Sequence, residues 1–183
     1  MEIDATTDNR FTHSHGKPKD RTVAKVKNYM TDEVKEFIEK APFIVMATSD
    51  KEGRCDASPK GGKPGYVKIV DDSHLLVPDV AGNRLFQSYQ NMNENPQVGL
   101  VFLIPGRDDT VRINGRIEIV TSDELDQMEV DLAVKFRDDN SKLLQGILVE
   151  VQESYTHCPR AFKFAGLWDV AEIHRTRESQ RRR

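Results

Sequence analysis

Four short strand-like runs, at 43–49, 55–59, 66–70 and 74–78, follow one another with only turns between them. This spacing constrains the fold more than any other feature of the chain. Asp50-Lys51-Glu52-Gly53 and Asp71-Asp72-Ser73 have the composition of tight turns. Short strands joined by turns favour an all-β barrel or sandwich over alternating βαβ units. Two longer runs, at 97–103 and 110–120, continue the pattern across a Pro105-Gly106 turn, and 146–152 reads as a final buried strand.

Helices flank these strands. Thr31 has the character of an N-cap, and Asp32 and Glu33 complement the dipole of the helix it opens. Val34, Phe37, Ile38 and Ala41 then fall at i, i+3, i+4 and i+7, one apolar stripe that ends at Pro42. A second helix is expected over 83–93, with Leu85, Phe86 and Tyr89 inward. Thr121 and Glu124 form a capping box for a third, carrying Leu125, Met128, Leu132 and Phe136. Residues 158–164 read as a short helix. The 183 residues thus divide into a polar N-terminal extension (1–30), one domain (31–174) and a basic tail (175–183). The extension shows no periodicity and reads as mobile, or ordered only against a partner. Its His13 and His15 are not a metal site, because two histidines in such an arm usually bind nothing specific.

Three pieces carry candidate chemistry. Cys55-Asp56-Ala57-Ser58-Pro59-Lys60-Gly61-Gly62 ends a hairpin strand on a hydroxyl, a cation and two glycines. Ser58 offers a hydrogen bond and Lys60 a point charge suited to phosphate. Val77-Pro78-Asp79-Val80-Ala81-Gly82-Asn83-Arg84-Leu85 runs from a strand through a Gly turn towards a helix start, where free amides favour anions. Thr110 to Ile117 is an alternating strand with Arg112 and Asn114 on its polar face.

In this order the pieces resemble the pyridoxamine-phosphate-oxidase-like flavoproteins, which bind FMN on a split β-barrel. The resemblance rests on Ala57 to Gly61, Gly82 to Leu85, Asn95 to Phe102 and Arg112 to Arg116, and covers roughly residues 31 to 171. Cys158-Pro159-Arg160-Ala161 through Leu167-Trp168-Asp169 looks like the closing motif of one subgroup. The resemblance implies a mainly β chain with flanking helices. It also implies an FMN-dependent oxidoreductase acting on a small organic substrate, with the flavin in a groove between the two subunits of a homodimer. The FMN phosphate carries roughly −2 charges. Lys60 and Arg84 are its expected partners, with Ser58, Pro59 and Asn83 beside them and Asn114 towards the ring's polar edge. Arg112, Arg160, Lys163 and Trp168 are the expected contacts from the second subunit or the substrate side. The basic C-terminal pattern that binds substrate phosphate in true pyridoxamine-phosphate oxidases is missing around Arg175 and Arg177. That argues against the namesake activity. A deazaflavin-dependent reductase remains an alternative because such enzymes use the same barrel, a flavin-binding redox sensor without turnover because no clear substrate acid or base stands out, and a non-flavin barrel is the third.

Composition narrows the partners. A net charge of −3 argues against a general nucleic-acid surface. Cys55 and Cys158 lack the spacing of a zinc site or a disulfide framework, so a reducing cytoplasm is expected. No run is long enough to span a membrane, and no apolar signal core opens the chain. His157 beside Cys158 does not make a nucleophile–base pair, because adjacent side chains rarely face one another.

Overall fold

The computed structural model describes residues 8–82, 85–130, 133, 134, 136 and 141–181. Seven antiparallel strands form one sheet in the order β2-β1-β5-β6-β7-β4-β3. They are β1 (Phe43–Ser49), β2 (Cys55–Gly61), β3 (Lys68–Ile69), β4 (His74–Val80), β5 (Gln97–Leu103), β6 (Thr110–Thr121) and β7 (Leu143–His157). The helices are α1 (Arg10–His15), α2 (Asp20–Val23), α3 (Asp32–Lys40), α4 (Gln87–Glu94), α5 (Ser122–Gln127), α6 (Arg160–Ala165) and α7 (Val170–Arg181).

One face of the sheet is the core. The ladder aligns Ser58, Met46, Leu100, Ile113 and Ser154 in one cross-strand row. Met46, Leu100 and Ile113 are almost fully buried there. Ile147, Val149, Leu75 and Val77 continue the same cluster through β7 and β4. α3 covers it with Val34, Phe37 and Ile38, and Ala41 follows at its C-cap, so the whole expected stripe is buried. Burying each of the three large side chains contributes about 1.5–3 kcal/mol.

The sheet curls rather than lying flat. β7, at 15 residues, is the spine that pairs with β6 on one side and β4 on the other. The β6–β7 register shifts between Asn114 and Gly115, and the β4–β7 register shifts between Asp79 and Val80. Such bulges bend a strand and increase its twist. A Cβ on Gly115 would lie 2.2 Å from the carbonyl oxygen of Glu150, so only glycine allows β6 this close to β7. The curl brings β2 and β4 together although no ladder joins them. This is a split β-barrel, mainly β with flanking helices.

Several boundaries differ from the sequence expectation. β7 runs far beyond 146–152, because it has partners on both sides over much of its length. α4 starts at Gln87 rather than near 83, after Phe86 in a left-handed conformation (φ 53°). α5 ends at Gln127, with Glu129 also at positive φ, and Leu132 of the expected stripe lies outside the described residues. The N-terminal extension contains α1, capped by Asn9, and α2. Lys27 forms an antiparallel bridge with Ser154 of β7, and Met30 is 1% exposed in the core.

Candidate functional site

The site lies along the seam that the ladder leaves open. β2 is an edge strand, which explains why Pro59 is tolerated within it. Its burial alternates, so Asp56, Ser58 and Lys60 turn inward while Ala57 and Pro59 turn out. On the far side, β3 pairs only with Leu75 and Leu76, so the end of β4 at Pro78 and Asp79 has no neighbour on that edge. Lys60 Nζ donates to Asp79 Oδ1 across this gap at 2.7 Å. Asp79 is 5% exposed. Tyr66 reinforces the seam by donating its hydroxyl to the carbonyl of Lys60. Burial keeps that phenol protonated by pushing its pKa up.

Two cavities flank the ion pair. One, of about 270 Å³, lies between Ser58, Lys60, Asp79, Tyr89 and Leu144. The other, of about 310 Å³, extends towards Gly61, Tyr66 and Pro78. Both volumes are near the lower end of small-molecule sites, about 300–1,000 Å³. Ser58, Pro59, Lys60, Asp79, Val80 and Gly82 line both, so both cavities border the Lys60–Asp79 bridge.

α4 roofs the first cavity and is tied down by polar contacts. Asn91 donates to Thr48 and Asn95 to Ser49, each at 3.0 Å, while Ser88 donates to Asp56. Met92 is buried beneath it. The Tyr89 hydroxyl is different. It is the one buried side-chain nitrogen or oxygen among the described residues with no hydrogen-bond partner. Burial, then the charge and nearby carboxylate of Asp79, pushes its pKa up against a smaller opposing effect of the Gln145 side chain, so it remains a donor. Leu144 reaches the cavity because it is the extra residue at the β4–β7 bulge, between the pairs Val80–Leu143 and Asp79–Gln145.

The structure brings together Ser58, Pro59 and Lys60 of the expected site residues. Asn83 and Arg84 lie outside the described residues. Arg112 falls in the row Pro59–Val45–Val101–Arg112–Tyr155, and Asn114 in the row Ala57–Ala47–Gly99–Asn114–Glu153. Both rows are on the sheet face opposite Ser58 and Lys60. Arg112 stacks 5.6 Å from the Tyr155 ring centroid, and the Asn114 amide donates to Glu153 at 2.7 Å. Arg160 and Lys163 are exposed on α6, and Arg160 covers the Phe164 ring. Trp168 stacks on Phe162 and donates to the Arg107 carbonyl at 2.7 Å. None of these five lines either of the two cavities beside Lys60 and Asp79. Sequence reasoning missed Asp79, Tyr89 and Leu144. Asp79 carried a signal, an acid within an apolar strand run.

Elsewhere, Asp50, Glu52 and Glu94 bring carboxylates within 4.8 Å of one another, but Arg54 pairs with the first two. No helix among the described residues is long and apolar enough to cross a membrane.

The family model for pyridoxamine 5'-phosphate oxidase matches residues 30–158, from two residues before α3 to one residue past β7. The chain belongs to the pyridoxamine 5'-phosphate oxidase family. Among curated proteins, none matches the sequence. Solved structures share this family's barrel. A variant of HupZ from Group A Streptococcus is 19% identical, with a TM-score of 0.51 over 70% of this chain and 99% of that one. A Lactobacillus delbrueckii protein provisionally described as a pyridoxamine 5'-phosphate oxidase is 20% identical, with a TM-score of 0.50 over 70% and 95%. At such identities the likeness speaks to the fold alone.

Proposed function

We propose that this pyridoxamine 5'-phosphate oxidase family member is an FMN-dependent oxidoreductase acting on a small organic substrate, and that the seam between β2 and β4 holds the flavin's phosphate end. The observation that carries this reading is the inward row of Ser58 and Lys60 lining a cavity at an open barrel seam. The donor set suits such a group. Ser58 supplies a neutral hydrogen bond and Lys60 a point charge, and charge-assisted contacts of this kind are the stronger ones. Arg84 and Asn83 follow Gly82 in sequence and are assigned to the same phosphate. When bound, FMN supplies the hydride-accepting ring. The chain's own residues bind and orient, and the α4 roof keeps water from one side of the cavity.

The reading includes a homodimer. Phe43, Val45, Ala47, Val101 and Leu103 form an apolar patch on the outer sheet face, with Phe43 37% exposed. That face adjoins Arg112 and Asn114, which a second subunit would bring into reach of its partner's flavin. Arg160, Lys163 and Trp168 are assigned to the same boundary, and the cytoplasm is the expected compartment. Light scattering at micromolar concentration should give twice the chain mass, and a monomer that retains flavin would remove this part.

One observation favours a second reading, a flavin-binding redox sensor without turnover. The charged groups lining the first cavity are engaged with protein partners: Lys60 with Asp79, and Asp56 with Ser88. No acid or base among them stands ready for a substrate. The visible spectrum of the purified protein, with mass spectrometry of what it releases on denaturation, tests for FMN against a deazaflavin or no flavin. Reduction by a nicotinamide cofactor followed by substrate-dependent reoxidation separates enzyme from sensor. A colourless protein that takes up no added FMN would overturn both.

A further inference from the structure

Lys60 is the cation that a phosphate would need, yet Asp79 already holds it at 2.7 Å. An arriving anion must therefore displace Asp79 from Lys60, and a carboxylate that is 5% exposed cannot simply be left to water. The structure contains a replacement partner. The buried Tyr89 hydroxyl makes no hydrogen bond of ordinary geometry, lines the same cavity, and faces both the Asp79 carboxylate and the Gln145 side chain. We propose that Asp79 and Tyr89 select the charge of the ligand by partner exchange: an anionic ligand group takes Lys60, and Asp79 passes to the hydroxyl of Tyr89. This inference rests on the phosphate end of the ligand lying at Lys60.

The exchange has a second consequence. Both cavities border the Lys60–Asp79 bridge, and in this exchange its opening joins them into one groove along the seam. A ligand with an anionic tail opens that bridge as it binds. A neutral ligand of the same ring system has nothing to offer Lys60 and leaves the bridge as it is. Asp79 thereby competes with weakly charged ligands for Lys60, while Tyr89 lowers the cost of releasing Asp79 once a stronger anion arrives.

The two residues therefore act with opposite sign, which makes the proposal testable. FMN and riboflavin are titrated by flavin fluorescence into wild type, Asp79→Asn and Tyr89→Phe, with a thermal melt of each variant. Asp79→Asn should tighten FMN about tenfold, because the competing charge is gone, and leave riboflavin within about twofold. Tyr89→Phe should weaken FMN about tenfold at unchanged melting temperature, because Asp79 loses its alternative donor, again sparing riboflavin. If Asp79→Asn fails to fold, the Tyr89→Phe contrast between the two ligands decides alone. Both variants moving FMN in the same direction, Tyr89→Phe leaving FMN unchanged, or equal shifts for FMN and riboflavin would overturn the exchange while leaving the flavin reading intact. A wild type that binds neither ligand would overturn the flavin reading itself, and the exchange with it.

Discussion

Lys60 Nζ and Asp79 Oδ1, 2.7 Å apart, join an edge strand of the sheet to a strand near its opposite edge. The ion pair closes by side chains a barrel that the backbone ladder leaves open. It also lines the cavity that Ser58 lines, so barrel closure and the candidate site draw on the same two residues.

A buried ion pair is costly to break from one side. Lys60→Met leaves the buried Asp79 carboxylate without its cation, which costs about 3–5 kcal/mol in a fully buried setting. The Lys60 side chain is 20% exposed, so the lower end, about 3 kcal/mol, is expected. Adding Asp79→Asn removes the stranded charge, and the double variant should be more stable than Lys60→Met alone. Urea unfolding of the four proteins measures the coupling. Strict additivity would show that the two groups do not support each other.

Gly115 permits the closest approach in the sheet. A Cβ there would meet the Glu150 carbonyl at 2.2 Å and Val149 Cγ1 at 2.9 Å. Neither backbone nor packed side chain can yield cheaply, so Gly115→Ala should cost about 3 kcal/mol. At roughly 2–4 °C per kcal/mol, the melting temperature should fall by about 6–12 °C. Gly99→Ala is the contrast: its Cβ would meet the Asn114 side-chain oxygen at 3.4 Å, and that side chain can shift. Equal losses for both would show that the β6–β7 spacing is not the constraint.

Much of this fold was legible because its signals are local. The apolar stripe of α3, the Thr31 and Thr121 caps and the hairpin turns each depend on residues within a few positions, and each stands where expected. Ser58, Pro59 and Lys60 were legible as candidate site residues for the same reason, and the three line the same cavities. What failed to show was long-range. Asp79 is explained only by Lys60, 19 residues away, and Tyr89 only by the cavity that α4 covers. The alternation of β6 identified Arg112 and Asn114 as one face, but only the register through β5 and β1 shows that it is the face opposite Ser58. The C-terminal reach of β7 was hidden because Glu153 and Ser154 interrupt its apolar run, although Ser154 is itself buried and bonded to Tyr29.

Acid should weaken the fold through the α5 cap. The Thr121 hydroxyl and amide both donate to Glu124 and hold its pKa below the usual carboxylate range. The unfolded chain then takes up this proton first as pH falls. The cap's contribution is present above the unfolded value, about 4.5, and is lost as pH drops through the lower folded one. Arg107 acts on Asp109 with the same sign. Denaturant midpoints measured from neutral pH downward should fall below about pH 4.5, and Glu124→Gln should flatten part of that slope. An unchanged slope would remove Glu124 as a contributor.

The last expectation concerns where the N-terminal extension stops being dispensable. α1 and α2 bury no residue, so their loss exposes little. Lys27 exchanges two backbone hydrogen bonds with Ser154, at 3.1 and 2.7 Å. The Tyr29 carbonyl accepts from the Ser154 hydroxyl, and the Met30 amide donates to the Asp72 carbonyl while its side chain lies in the core. A chain starting at Ala24 should therefore melt within a few degrees of full length. One starting at Thr31 loses the Met30 side chain, worth about 2–5 kcal/mol when truncated in a core, and leaves the Ser154 amide and hydroxyl unpaired. At roughly 2–4 °C per kcal/mol its melting temperature should fall by 10 °C or more, about the low end of what these losses imply together. Thermal melts of the two truncations and the intact chain decide the point. If the chain starting at Thr31 melts like full length, residues 27–30 are not part of the folded unit.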